Sequence, residues 1–542
     1  MTYTTYHEFA GFGGDTTGVL AVPGTHGVLG ANHNPDAIAT HALNFPGMDH
    51  YEGDIAKADI GTFPRVDFFW ASPSCPPWTD ARGVKRDFDQ STQGVLFDPK
   101  TGPKATDSSV ARARALMEEV PRYLQAMNRR GRPVLGGVTE NVVQVVKWDQ
   151  FKRWRREIEE EGYRTRLIAL NAMHVTGPTL GKVAQSRNRF FLAYWLEALG
   201  RDPDWDKWLR PRAYCPDCDQ LVAAVQAFKK PAAVPGTEMG VYGIRNGQYV
   251  YRCPHRSCRQ RIVEPAVLPA SEIIDWSLDP GPRIGERVDS KGRPDPLEES
   301  TIARIEAGLA RHVGALLAPA GGTWREHTTS VAVPLPTRTT RETDALVCPP
   351  LLVSCAARAG VDTATTVADP MRTQTCRRET AVVVPPFISL QRGGGSATAA
   401  YPVDGPIPTV SAQGNHHGLV GSPPAGEELA LLVAYYGNGG TQTTDRPVGT
   451  LTTRDRYGLL GHTSTRASTP PPVEACTFRM LDPHEIAAGM GFPATYRVPA
   501  SVAKSKRRQV RGWGNAVPPA MAEVLASALI ETFSGEPLEP AA

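Results

Sequence analysis

Val66-Asp67-Phe68-Phe69-Trp70-Ala71-Ser72-Pro73-Ser74-Cys75-Pro76-Pro77-Trp78 holds an apolar run that ends at prolines, with a cysteine just past its end. The run has the length and composition of a buried strand, and proline cannot continue a strand ladder. Cys75 therefore falls in a turn at a strand's C-terminal end, the edge where open α/β sheets place their ligands. Further along, Pro133-Val134-Leu135-Gly136-Gly137-Val138 runs into Thr139-Glu140-Asn141-Val142, and Gln185-Ser186-Arg187-Asn188-Arg189 leads into strand-like Phe190-Phe191-Leu192-Ala193-Tyr194-Trp195. A cysteine, a glutamate and arginines, each beside a buried strand, supply the residue types of a nucleophile, a proton donor and an anchor. Singly, each has an ordinary structural reading: an inert core cysteine, a helix cap, a surface arginine pair.

Order and context strengthen the set. The chain opens with Phe9-Ala10-Gly11-Phe12-Gly13-Gly14, where a strand turns into Thr16-Thr17-Gly18-Val19-Leu20. Glycines in such a turn let backbone approach a bound nucleotide closely. Near the C-terminus, Gly514-Asn515-Ala516-Val517-Pro518-Pro519 precedes the helix-like Ala520-Met521-Ala522-Glu523-Val524-Leu525.

Taken in this order, the segments resemble the DNA cytosine-5 methyltransferases of bacteria and bacteriophages. Arg446-Pro447 with Thr450-Leu451-Thr452-Thr453-Arg454-Asp455, then Phe478-Arg479-Met480-Leu481 and Gly491-Phe492-Pro493, fit the same pattern, so the resemblance covers roughly residues 3–200 and 445–530. It implies a split, Rossmann-like α/β methyltransferase domain that uses S-adenosylmethionine. The cofactor would lie on Phe9, Gly11, Gly13 and Gly14, with Asn32 and His33 at its ribose, Asp54 and Ile55 at its adenine, and Asn515 and Val517 closing the pocket. Cys75 would be the nucleophile, Glu140 the acid at cytosine N3, Arg189 the holder of the base's O2 edge, and Arg187 its neighbour on the base or a nearby phosphate. The sequence departs from the family pattern at three places: Ser74 and Pro76 flank the cysteine, neutral Asn32 stands where an acidic residue usually grips the ribose, and the first turn reads His7-Glu8-Phe9.

The chemistry explains the set. Cytosine C5 is too weak a nucleophile to attack a sulfonium methyl; a thiolate adding at C6 makes an enamine and enriches C5. Protonating or hydrogen-bonding N3 stabilises that charge, an effect typically worth ~10²–10⁴-fold. Neither atom is reachable inside a duplex, so the base must be flipped out. Two other readings keep the fold and change the substrate, to cytosine in RNA or to a larger transferred group. A reading from another class is a catalytically weak DNA-binding protein, against which the joint presence of Cys75, Glu140 and Arg189 speaks.

With 542 residues the chain exceeds one core, and 41% hydrophobic and 21% charged residues make it globular. A net charge of +3 means that any nucleic-acid footprint is local, as in Arg129-Arg130-Gly131-Arg132, Lys152-Arg153-Trp154-Arg155-Arg156 and Lys504-Ser505-Lys506-Arg507-Arg508. Cofactor-type sequence begins within the first ten residues, so no signal peptide is expected, and no apolar run reaches a membrane span. Nine cysteines, an odd number, suit a reducing cytoplasm, bacterial or phage-infected. The chain is expected to act on double-stranded DNA as a monomer. Whether an endonuclease accompanies it is not encoded.

Four regions follow: a catalytic domain over 1–202, a zinc-ribbon-like module over 203–270, a β-rich target-recognition region over 271–473, and a return segment over 474–542. The first is expected to include a helix through Ser109 to Met117 and a closing loop at about 79–108. The module rests on Cys215-Pro216-Asp217-Cys218 and Cys253-Pro254-His255-Arg256-Ser257-Cys258, four thiols able to hold a structural zinc. Arg252, Arg256, Arg259 and Arg261 around the second knuckle suit phosphate contacts. A helix is expected near 298–317. Beyond it, Pro334-x-x-Thr337-x-Thr339 recurs at Pro370, at Pro406 (with Ser411 in the last place) and at Pro447, 36, 36 and 41 residues apart. Each copy is followed by an apolar pair (Leu346-Val347, Val382-Val383, Leu419-Val420, Leu459-Leu460), and three by a second strand-like run. Fixed spacing of this kind signals stacked supersecondary units, here β-hairpins.

Overall fold

The computed structural model describes residues 2–73, 115–230, most of 238–302, the individual strands between 316 and 480, and 482–541. The chain forms two units, Met1–Val267 with Met490–Ala542, and Leu268–Gly489.

The first unit is built on a seven-stranded sheet of β1 (Tyr3–Glu8), β2 (Thr25–Asn32), β3 (Asp49–Glu52), β4 (Phe68–Ala71), β5 (Gly136–Asn141), β6 (Tyr163–Asn171) and β7 (Asn188–Leu196), in the order β3-β2-β1-β4-β5-β7-β6. All neighbours are parallel except β7, which runs antiparallel between β5 and β6. Among its helices are α1 (Gly14–Leu20), α2 (Pro35–Asn44), α3 (Glu119–Arg129), α4 (Phe151–Glu160), α5 (Lys506–Asn515) and α6 (Pro519–Ser534). β4 is buried at every position because the sheet is covered on both sides, as parallel sheets are. On one face Tyr6, Phe69 and Phe190 pack with Tyr123 and Leu124 of α3 and Trp154 of α4. On the other, Phe68, Trp70 and Phe191 meet Val19 of α1 and Leu525 and Leu529 of α6.

The second face is where the chain's end returns. Gly18 of α1 faces α6 so closely that any Cβ there would strike the Pro519 carbonyl. The stretch Lys506–Ser534 is long and apolar enough for a bilayer, but 94% of its most apolar window is buried in the unit. Its hydrophobicity is that of a core element.

The order places the switch point of the sheet between β1 and β4, whose outward crossovers leave a crevice at their C-terminal ends. Glu8, Ala71, Asn141 and Asn171 end their strands at this edge, and antiparallel β7 begins there with Asn188 and Arg189. Residues 74–114 lie outside the described ones, and with them Cys75, the 79–108 loop and most of the helix expected through 109–117. Description resumes at Ala115, then a 3₁₀ turn Leu116–Glu118 and α3.

The four cysteines lie in the first unit, on two hairpins: β8 (Arg212–Cys215) with β9 (Gln220–Ala223), and β10 (Val225–Phe228) with β11 (Tyr249–Arg252). In the second unit, Leu316 and Leu317 of the helix expected near 298–317 instead open a strand, Leu316–Pro319, because they pair with Val347 and Leu346. The same pairing recurs through the unit: Leu351 and Leu352 with Val383 and Val382, Phe387 and Ile388 with Val420 and Leu419, Leu431 and Leu432 with Leu460 and Leu459. Each repeat's second strand thus pairs antiparallel with the apolar pair of the next, so the sequence repeat is a repeat of strand register.

Glu8 closes β1 fully buried. Tyr6 donates a 3.1 Å hydrogen bond to its Oε1, and Oε2 finds no hydrogen-bond partner among the described residues. Burial, then the nearby Glu119, pushes its carboxyl up to about 8. Below the ordinary carboxylate range both folded and unfolded chains hold this proton. From there to about pH 8 the unfolded chain releases it while the fold keeps it, so stability falls as pH rises. Glu8→Gln keeps the acceptor for Tyr6 and removes the titration. It should unfold like the parent near pH 4 and be more stable at pH 8 by on the order of 2–4 kcal/mol, as urea titrations at the two pH values would show; equal stability at pH 8 would mean that Glu8 ionises freely in the fold.

Candidate active site

Glu140 and Arg189 reach each other because β5 and β7 are antiparallel neighbours whose ends meet at the crevice. Arg189 Nε lies 2.7 Å from Glu140 Oε1, with both side chains about nine-tenths buried. Burial pushes the Glu140 carboxyl up, while Arg189 and then Arg187 hold it back. A carboxyl so placed retains a proton more readily than a surface glutamate yet stays poised beside a cation, the condition of a general acid. The adjacent Asn141 donates from Nδ2 to the Pro73 carbonyl at 3.1 Å, tying the end of β5 to the chain that leads to Cys75. Cys75 itself lies outside the described residues.

Arg187 faces inward. It is 2% exposed, and its guanidinium donates to the carbonyls of Gly514 (3.2 Å) and Ala516 (3.1 Å). Within the chain these bonds tie it to the backbone of the returning segment; the resemblance implies the base or a phosphate beside them. Alternation on one extended strand would send Arg187 and Arg189 to the same side, but Arg187 lies between two strands, Gln185–Ser186 and Asn188–Leu196, and its guanidinium meets the α5–α6 junction. Glu523 of α6 makes the reciprocal tie, accepting the amides of Thr179 (2.7 Å) and Leu180 (3.0 Å).

The cofactor-type residues gather at the C-terminal ends of β1, β2 and β3. Phe9, Gly11 and Gly13 all take positive φ (58°, 56° and 76°), a left-handed turn that costs Phe9 strain and suits the glycines. A Cβ on Gly13 would meet Phe45 and Tyr496, and one on Gly14 would collide with the Val517 carbonyl. At Gly11 the nearest neighbour among the described residues is the Phe9 carbonyl, at 3.9 Å. Among the described residues the turn thus has one glycine without close neighbours and two pressed against protein, which fits a nucleotide-like ligand over Gly11. Tyr496 fixes the turn by donating from its hydroxyl to the Phe12 carbonyl.

At the end of β2, Asn32 Oδ1 accepts the Asn34 amide at 2.9 Å, and the Asn32 carbonyl accepts Gly53 N–H at 3.1 Å. His33 lies in this turn and Asp54 follows Gly53, preceding a 3₁₀ turn that buries Ile55. Asn515 ends α5 and Val517 sits in the buried link to α6, against Gly14. Beneath the turn are two buried polar links that sequence reading missed: His7 Nδ1 with Asp15 (2.8 Å), and a relay from Thr16 to His41 Nε2 (2.9 Å) and from His41 Nδ1 to His50 (2.8 Å). Burial holds His41 well below its ordinary range, so it works as a neutral hydrogen-bond link. Histidines scattered over forty-odd residues carry no motif.

Cys215, Cys218, Cys253 and Cys258 place their four sulfur atoms within 4.8 Å of one another, and Cys218 Sγ lies 3.8 Å from Cys253 Sγ. That is far longer than a disulfide bond of about 2.05 Å. A zinc tetrahedron with bonds of about 2.3 Å has edges of about 3.8 Å. The Arg261 backbone amide draws the Cys258 thiol down, while burial pushes those of Cys218 and Cys253 up. The cluster fits a four-thiolate metal site.

Residues 4–100 match the C-5 cytosine-specific DNA methylase family. No curated protein sequence matches the chain. Among solved structures, a DNMT2 mutant of Spodoptera frugiperda aligns at 12% identity and a TM-score of 0.43, over 98% of this chain and 100% of that one. The methyltransferase EhMeth of Entamoeba histolytica aligns at 9% and 0.44, over 98% and 99%. A putative DNA modification methyltransferase from an Escherichia coli prophage aligns at 12% and 0.39, over 98% and 100%.

Arg187→Met keeps the aliphatic stem and removes two carbonyl partners and a buried charge. It should lower stability by roughly 2–4 kcal/mol in urea unfolding and speed proteolysis near the α5–α6 junction. Unchanged stability would show that the return segment docks without this tie.

Proposed function

We propose that this chain, which carries a C-5 cytosine-specific DNA methylase domain, transfers a methyl group from S-adenosylmethionine to C5 of a cytosine flipped out of double-stranded DNA. The observation that carries the reading is the buried Glu140–Arg189 pair at the edge where β4 runs on toward Cys75. S-Adenosylmethionine, when bound, supplies an electrophilic methyl. Phe9, Gly11, Gly13 and Gly14 would cradle it, Asn32 and His33 would face its ribose, Asp54 and Ile55 its adenine, and Asn515 and Val517 would wall the pocket. Asn32 lacks the charge of the usual carboxylate and already accepts one bond in its own turn, so the ribose grip is the weaker for it.

The roles follow from the groups. The Cys75 thiolate adds to C6 of the base while Glu140 gives a proton or hydrogen bond to N3, so that the electron pair reaches C5. Arg189 holds O2 and keeps Glu140 in place. After methyl transfer a base removes the C5 proton, the ring double bond re-forms, and the C6–sulfur bond breaks. Arg187 acts at one remove, by fixing the segment that walls the cofactor. The four-cysteine module would hold one structural zinc, and the repeats of the second unit would choose the DNA sequence.

DNA carrying 5-fluorocytosine should trap the enzyme covalently, because fluorine cannot leave as a cation and elimination stalls. Cys75→Ser should abolish that adduct on denaturing gels; an equally strong adduct in the serine variant would name another nucleophile. Glu140→Gln should slow turnover by ~10²–10⁴-fold with DNA affinity much less changed. Since Glu140 acts as the protonated acid and its carboxyl is pushed up, the parent's rate should decline on the alkaline side and the variant's should not follow it. Deleting repeats between 330 and 440 should change or abolish site choice, read by methylation-sensitive sequencing, while cofactor binding survives. Purified protein should contain one zinc per chain by elemental analysis.

A further inference from the structure

The four-cysteine module is seated on β6 and on the start of β7, the strand that carries Arg189, and it reaches them through a short set of polar and aromatic contacts. Gln226 of β10 donates from Nε2 to the Ala169 carbonyl of β6 at 2.8 Å, and Ala169 is part of the module's own apolar cluster with Cys215, Tyr249, Tyr251 and Cys253. The backbone amide of Tyr242 donates to Asn188 Oδ1 at 3.0 Å. Asn188 Oδ1 also accepts from Asn171 Nδ2 at 3.2 Å, and Asn171 Oδ1 accepts the Arg187 amide at 3.0 Å. Asn188 is the residue before Arg189, whose Nη1 donates to the Asn188 carbonyl at 3.1 Å.

The Tyr242 end of this series packs against the module's buried cluster, which includes Cys215 and Cys253. The Tyr242 ring packs on Tyr249, Tyr251 and His174, with His174 at a centroid distance of 4.3 Å, and Tyr251 lies two residues before Cys253. His174 is buried and so stays neutral, its ring held far below its ordinary range. A neutral aromatic platform joins the thiols to the strand corner that sets Arg189.

We propose that the four-cysteine module is a metal-dependent buttress of the active site: zinc fixes the tyrosine platform, the Tyr242 amide fixes Asn188, and Asn188 fixes Arg189 against Glu140. The inference rests on the zinc reading above and deepens it, since a module serving only sequence choice or fold stability needs no bond to the residue beside Arg189. Asn188 is a positioning residue, with no contact to substrate required of it.

The test uses the full chain, with zinc stripped by a chelator and then restored, together with Asn188→Leu and Asn188→Asp. Hydrogen exchange at the amides of residues 187–190 reads the buttress without any catalysis. Restoring zinc should slow that exchange roughly tenfold in the parent, within the range of coupling between contacting residues, and should do little in Asn188→Leu. Asn188→Leu should keep its zinc and its S-adenosylmethionine affinity while kcat falls roughly tenfold. Asn188→Asp keeps both accepted hydrogen bonds and should recover most of that loss. Exchange at 187–190 that ignores zinc, or parental kcat in Asn188→Leu, overturns the proposal. Absence of zinc in the purified chain overturns the metal's part in it. If the parent shows no methyl transfer at all, the function reading fails, and the exchange data still decide the buttress.

Discussion

Burying the Glu140 carboxyl at the end of β5 carries a desolvation cost of several kcal/mol, and Arg189 at 2.7 Å is what makes the position tenable. That pairing depends on one topological fact. β7 runs antiparallel between β5 and β6, so it starts where β5 ends and brings its first side chains to the crevice. A parallel strand in the same place would deliver Arg189 to the far edge of the sheet, about thirty ångströms of chain away by strand rise. The mixed sheet is therefore the condition for the site.

The second condition is closure of a domain whose sequence is interrupted for more than two hundred residues. α6 packs Val524, Leu525 and Ala522 into one apolar cluster with Val19 of α1, but hydrophobic contact alone is non-directional. Direction comes from polar ties to backbone: Arg187 to the carbonyls of Gly514 and Ala516, Glu523 to the amides of Thr179 and Leu180, Tyr496 to Phe12. Glycines 14 and 18 set how closely the two helices approach. These ties flank the glycine turn, in which Phe9 itself takes a left-handed conformation.

The insertions obey different rules. The four-cysteine module has a small apolar cluster that borrows Ala169 from the catalytic sheet, as expected of a unit too small to bury a core of its own. The second unit repeats one pairing, second strand of one copy to apolar pair of the next. Its architecture is written into the spacing of the chain.

The sequence by itself determined the buried strand before Cys75, the glycine turn, the strand-and-pair rhythm of the repeats and the two cysteine knuckles. All of these are local: periodicity, turn chemistry and short spacing act within a few residues. It also put Glu140 and Arg189 in one set, though only as neighbours of strands. Tertiary structure alone decided that Arg187 turns inward while Arg189 meets Glu140, that Glu8 is buried with a raised proton affinity, and that Tyr242 reaches Asn188. Those outcomes join residues from two to more than three hundred positions apart. They are settled by which strand lies beside which and by what burial leaves a polar group to bond with, and neither quantity exists until the chain has folded.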